Sequence, residues 1–206
     1  MAHDPEKLYR DGFAAFDKGD YQKAVTLAGE CLRVAAHDSY WYPAAISLRC
    51  WAANFLADND TVARDAYWLL AYDTDTEKSW FDGLALLNLA LVSRRNGDTI
   101  EADLLFQVAS ERYDAYAADP RKAAESPLVN DLFVAVTRWA GHGNLDRLNE
   151  LAEKLDNHAG KGKEIKRLQR AVDLYRRLAR GEDVKGDVEK AAGEGVSRAF
   201  LAVIMI

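Results

Sequence analysis

Proline and cysteine are scarce: four prolines and two cysteines in 206 residues. No apolar run approaches the roughly 18 to 20 residues that a membrane-spanning helix needs. Pro5, Pro43, Pro120 and Pro127 interrupt no helical pattern. Each fits a helix start, where the missing N–H is not needed. Cys31 and Cys50 have no Cys-X-X-Cys and no paired histidine spacing, so they form neither a zinc site nor a disulfide framework. They predict a reducing, cytoplasmic setting. His3, His37, His142 and His158 are scattered, and His142 sits in a Gly-His-Gly turn that reads as a solvated loop. There is no Gly-X-Ser-X-Gly, phosphate-binding loop, His-Glu-X-X-His or dinucleotide fingerprint. Asp73, Asp75 and Glu77 are spaced like the start of a calcium loop, but the sixth-position glycine and closing glutamate are missing. The expectation is a protein without catalytic residues, metal or cofactor.

What is present describes a globular chain: 49% hydrophobic and 29% charged residues. Met1–Arg10 lacks the apolar core of a signal peptide. The net charge of −6 is unevenly spread. Residues 161–180 carry eight Lys/Arg against Glu164 and Asp173, whereas the first 160 residues hold −10. Such asymmetry bears on association rather than on fold.

Strand signals are nearly absent, and the apolar spacing is helical throughout, so the fold class is all-α. Four turn signals recur about 40 residues apart, at Gly19-Asp20, Asn59-Asp60, Gly97-Asp98 and Gly143-Asn144. Asp4-Pro5, Asp119-Pro120 and Ser126-Pro127 read as helix starts. Around each turn runs one logic: a large residue, a small one four later, a large one three later, the turn, then a helix with small residues at its crossing. Leu86, Ala90, Gly97, Ala102, Phe106 and Ala109 show it best, and Gly12, Gly19, Tyr21 and Ala24 repeat it. Trp41, Trp51, Trp68, Trp80 and Trp139 fall mainly on helix faces and read as packing. After Gly160-Lys161-Gly162, a fifth helix over about 162–180 carries an apolar stripe of Ile165, Leu168, Val172, Tyr175 and Ala179. Gly181-Glu182-Asp183 stands where a fifth turn falls, and Gly193-Glu194-Gly195 breaks the weak helix after it.

Over residues 5–158 this pattern resembles the tetratricopeptide repeat (TPR) family. It departs at Arg64, Val136 and Leu148, where the family places small residues, and its units are longer than the family's. The resemblance implies a right-handed superhelical stack of about four helix-turn-helix hairpins over residues 1–160. Residues 161–206 would add capping helices packed on the same solenoid. It also implies a concave groove lined by fixed positions of each unit's first helix. On this chain those positions are Tyr9, Phe13, Phe16 and Asp17; Ile46, Arg49, Ala53 and Leu56; Leu84, Leu87, Leu91, Arg94 and Arg95; and Asn130, Phe133 and Thr137. An apolar floor edged by Arg49, Arg94 and Arg95 suits an amphipathic helix or extended peptide with an acidic group. The plainer reading buries these large residues against a neighbouring helix or an inserted loop. Family members that clamp chaperone C-termini place Lys and Asn where this chain has Tyr9 and Phe13, so no such clamp is expected.

Two features lie outside the repeats. The apolar tail, with Phe200, Leu201, Val203, Ile204 and Ile206, caps the last helices, folds into a groove of this or a sister chain, or docks on a partner or membrane surface. The basic face of Lys163, Lys166, Arg167, Arg170 and Arg177 is a solvated face, or it docks on an acidic partner, another copy, nucleic acid or anionic lipid. The acidic body argues against nucleic acid. The expected function is non-enzymatic binding of a protein or peptide, as adaptor, assembly factor or chaperone-like subunit. The alternative is a self-assembling architectural protein, whose tail and basic helix meet the acidic body of another copy.

Overall fold

A computed structural model describes residues 4–72, 78–118, 127–158 and 162–206. Among them are eleven helices and no strand: α1 (Pro5–Asp17), α2 (Tyr21–Val34), α3 (Trp41–Phe55), α4 (Asn59–Ala71), α5 (Lys78–Arg95), α6 (Thr99–Ala118), α7 (Pro127–His142), α8 (Asp146–Asp156), α9 (Lys163–Ala179), α10 (Lys185–Gly193) and α11 (Arg198–Met205). Each helix packs on the next, so the chain is a series of consecutive helical pairs. The calcium-like Asp73, Asp75 and Glu77, the Asp119-Pro120 start, Ser126, Gly160 and Lys161 lie outside the described residues.

Turn chemistry sets this series. Asp4 accepts from the Glu6 N–H at 3.0 Å with Pro5 as the first helical residue. Asp20, Asp58 and Asp98 likewise accept from the N–H groups of Lys23, Thr61 and Glu101. Each thus satisfies a donor that the helix leaves open. The residue ahead of each of these three caps has left-handed backbone. Gly19 (φ 81) and Gly97 (φ 85) meet that demand without a Cβ. The second turn departs from expectation. Asn59 and Asp60 belong to the first turn of α4, and the reversal is made by Leu56–Asp58, with Ala57 at φ 57. An alanine holds the position where the neighbouring turns have glycine, so the sequence pattern points two residues too late. The same hydrogen-bond pair closes α1, α3, α5, α9 and α10. At α1, Gly19 N–H donates to the Phe16 carbonyl and Asp20 N–H to the Ala15 carbonyl, both at 2.9 Å, as in a Schellman cap.

Alanines at the crossings let the helices approach closely. Ala24, Ala28, Ala52, Ala66, Ala85, Ala90, Ala102 and Ala109 are fully buried. Polar staples act both within and between pairs. Arg49 donates to both oxygens of Asp65, at 2.7 and 2.8 Å, tying α3 to α4. Buried Asn54 donates to the Asn88 backbone and side-chain oxygens, both at 3.0 Å, and Arg95 donates back to the Asn54 carbonyl at 2.9 Å, tying α3 to α5.

The C-terminal helices bring the two ends together. α9 packs on α7 and α8, and the chain turns at Glu194–Ser197 into α11. That helix touches α10, α9, α7 and α1. Ser197 Oγ and Arg198 N–H donate to Asp17 Oδ1 at 2.9 and 3.3 Å, and Arg198 Nη1 donates to Tyr21 Oη at 3.1 Å. Tyr175 Oη fixes the other side by donating to the Phe200 carbonyl at 2.9 Å. The last helix therefore latches onto the first hairpin.

Candidate binding cavity

Between the first-of-pair helices and the returning C-terminus lies a cavity of about 430 Å³. This is within the size range of pockets that hold small ligands. α1 gives Tyr9, Phe13 and Asp17; α3 gives Ala44, Ser47, Leu48 and Trp51; α5 gives Trp80, Phe81 and Leu84. α7 adds Val129 and Phe133, α9 adds Glu164 and Arg167, and Gly195, Ser197, Ala199 and Phe200 close it. Tyr40, just before α3, completes the wall. The rings form two banks. Tyr9 and Phe13 are tilted at 6.2 Å on one side. On the other, Phe133 meets Trp80 at 5.4 Å and Phe200 at 6.1 Å, both edge-on. Those separations are typical of favourable aromatic pairs. Burial pushes the Tyr9 phenol well above its ordinary pKa.

Asp17, Ser47, Glu164, Arg167 and Ser197 add polar groups to the wall. Burial raises the Asp17 carboxyl above its ordinary 3.8, against the opposing pull of its Ser197 and Arg198 hydrogen bonds and of the Arg167 and Arg198 charges. Among the described residues, no three His, Cys, Asp or Glu side chains come together as a metal set. No described helix is long and apolar enough to cross a membrane. Both cysteines are free and buried, and Cys50 has its thiol pushed up by that burial.

Of the residues expected in the groove, Tyr9, Phe13, Asp17, Leu84 and Phe133 line this cavity. Phe16 is fully buried behind it, edge-on to Tyr21 and Phe55. Leu87 and Leu91 are core residues, and Leu56 is exposed at the end of α3. None of the three expected arginines is on the cavity wall. Arg49 is held by Asp65, and Arg95 by Asn54. Arg94 lies 4.5 Å over the Phe106 ring and donates to the Ala140 carbonyl at 3.2 Å, which ties α5 to α6 and α7. These guanidiniums staple helices together, Arg49 within its hairpin and Arg94 and Arg95 between hairpins, and do not line the cavity.

In the tail, Leu201 and Val203 are buried, Phe200 forms cavity wall, and Ile204 and Ile206 are half-buried. On the basic face, Arg177 pairs with Glu182 and Asp187, both at 2.8 Å, and Arg170 lies 3.7 Å from Asp187. Lys163, Lys166 and Arg167 are exposed. The cavity residues Trp51, Trp80, Ser47 and Leu48 were not expected there. α3 and α5 are buried on nearly all sides, so no polar face marks which stripe turns inward. Ala44, Leu48 and Trp51 do follow an i, i+4, i+7 spacing that was available to read.

No known family, curated protein or solved structure matches the chain.

Proposed function

We propose that this chain is a non-enzymatic, TPR-like binding module, and that the aromatic cavity receives a short apolar segment of a partner protein. The observation that carries the reading is the convergence of rings from separate hairpins on one void. Tyr9, Trp51, Trp80 and Phe133 come from four helices, and they surround space instead of filling it. A core whose helices approach closely through buried alanines has no packing need for such a void, and unfilled apolar space lowers stability. Stacked helical pairs build extended inner surfaces suited to binding other chains. With α11 latched across the inner face, the site fits one or two anchoring side chains better than a whole partner helix. Adaptor, assembly or chaperone-like roles all use such a site. The rival of tail-mediated self-assembly has less to draw on, because Leu201, Ala202 and Val203 are already buried within their own chain.

Panning a random peptide library on the full chain tests this reading. Selected peptides are expected to share a large apolar anchor. They should lose about 2 kcal/mol or more of binding when that anchor becomes alanine. Ser47→Leu, which fills the cavity from its α3 wall, should abolish binding while the protein stays folded. Peptides that bind Ser47→Leu as well as wild type would remove the cavity as the receptor.

A further inference from the structure

We propose that the partner segment carries an acidic group beside its apolar anchor, received by Arg167 together with Lys163 and Lys166. This inference rests on the cavity being the receptor site. It arises from a juxtaposition that the sequence does not show. Arg167 lines the aromatic cavity and also a second depression, formed by Lys163, Lys166, Arg167, Arg170, Glu194 and Val196. The apolar chamber and the basic face of α9 are therefore one continuous site, joined at a single guanidinium.

The charges around that junction divide by whether they already have partners. Asp17 accepts from Ser197 and Arg198. Glu194 stands 4.0 Å from Lys190, and Arg170 lies near Asp173 and Asp187. Further along α9, Arg177 and Arg180 are both bound to Glu182. Among the described residues, the side chains of Lys163, Lys166 and Arg167 make no hydrogen bond or ion pair. Among the described residues that line these two depressions, Glu164 is the one carboxylate without a hydrogen bond or ion pair. The guanidinium of Arg167 is seated against the backbone of Gly195, where a Cβ would lie 2.8 Å from Nη2. Its charge is felt at Asp17, inside the cavity. An unpaired guanidinium at the mouth of an apolar chamber matches an apolar group followed closely by a carboxylate, which arginine binds through two parallel N–H donors. The arginines first expected to orient such a group, Arg49, Arg94 and Arg95, are spent on the fold, and α9 supplies the cation in their place.

Two fluorescent probes with the same aromatic body separate charge from apolar fit: anionic 1-anilinonaphthalene-8-sulfonate and neutral N-phenyl-1-naphthylamine. Only signal abolished by Ser47→Leu is counted as cavity binding. At low salt the wild type should hold the sulfonate about tenfold more tightly than the amine, and the preference should shrink at about 0.5 M salt. The triple reversal K163E/K166E/R167E should erase the preference, and K163E/K166E alone, whose side chains are exposed, unpaired and off the cavity wall, should reduce it while leaving the amine's affinity and the thermal midpoint unchanged. Equal affinities in the wild type, or a preference that survives the reversal, would overturn the acidic-partner inference while leaving the cavity intact. If neither probe gives a Ser47-sensitive signal, the cavity reading fails and the inference falls with it.

Discussion

Arg49→Met separates a structural arginine from a ligand-binding one. Asp65 is only 1% exposed, and its two oxygens receive Arg49 Nε and Nη2 at 2.7 and 2.8 Å. Its other ion-pair partner, Arg64, reaches one oxygen at 3.1 Å from a side chain that is 60% exposed. Methionine keeps the stem and its packing but leaves a buried carboxylate with one solvent-weakened contact. Breaking a buried ion pair from one side typically destabilises by about 3–5 kcal/mol. The surviving Arg64 contact places the expectation at the lower end, about 3 kcal/mol. For a chain of this length that is a fall of roughly 10 °C in thermal midpoint. Urea denaturation followed by circular dichroism measures it. The double variant Arg49→Met/Asp65→Leu should recover most of the loss, because the pair then leaves no orphaned charge. Affinity for cavity probes should be unchanged in either variant. A loss below about 1 kcal/mol, or a selective loss of binding with stability intact, would refute the structural role.

Two further substitutions test the turns and the latch. Ala57→Gly should stabilise the chain by about 0.5–1 kcal/mol, since left-handed alanine is strained and the flexible glycine gives back part of the gain in the unfolded state. Gly97→Ala, at φ 85 with no atom near the added Cβ, should destabilise by about 1 kcal/mol through backbone strain alone; denaturant midpoints that do not move in opposite directions would count against this. Asp17→Asn keeps the acceptor for Ser197 and Arg198 but removes a titration. Burial holds the Asp17 pKa above 3.8, so the folded state favours the protonated acid, and that contribution is complete below 3.8 and lost as pH rises through the raised value. The thermal midpoint of Asp17→Asn should therefore pull ahead of wild type as pH climbs through that window, whereas a gap that is flat or shrinks with pH contradicts it.

The helical pairs were legible because their signals are local. Asp20 and Asp98 cap the helices that follow them, and Gly19 and Gly97 take the left-handed turns, all within four residues. Ala57 defeated the same rule, since nothing in an Ala-Asp-Asn run announces a left-handed alanine. The inner stripe of α1 was readable through Tyr9 and Phe13, which are four apart on a helix with a polar opposite face. On α3 and α5 burial on almost every side erases that contrast, so from sequence Trp51 and Trp80 read as packing and Arg49 as groove edge. The closure was beyond any local signal. Asp17 meets Ser197 and Arg198 across almost the whole chain, and Phe133, Arg167 and Phe200 become neighbours only after the last helix returns.

The side-chain N–H resonances of the tryptophans test the central claim most directly. Trp51 and Trp80 line the cavity, whereas Trp68 packs between Tyr42 and Tyr72 and Trp139 against Tyr175. Titration of the labelled full chain with a library-selected peptide should shift the Trp51 and Trp80 indole signals and leave those of Trp68 and Trp139 in place. Shifts confined to Trp68 or Trp139, with Trp51 and Trp80 unmoved at saturation, would contradict the account.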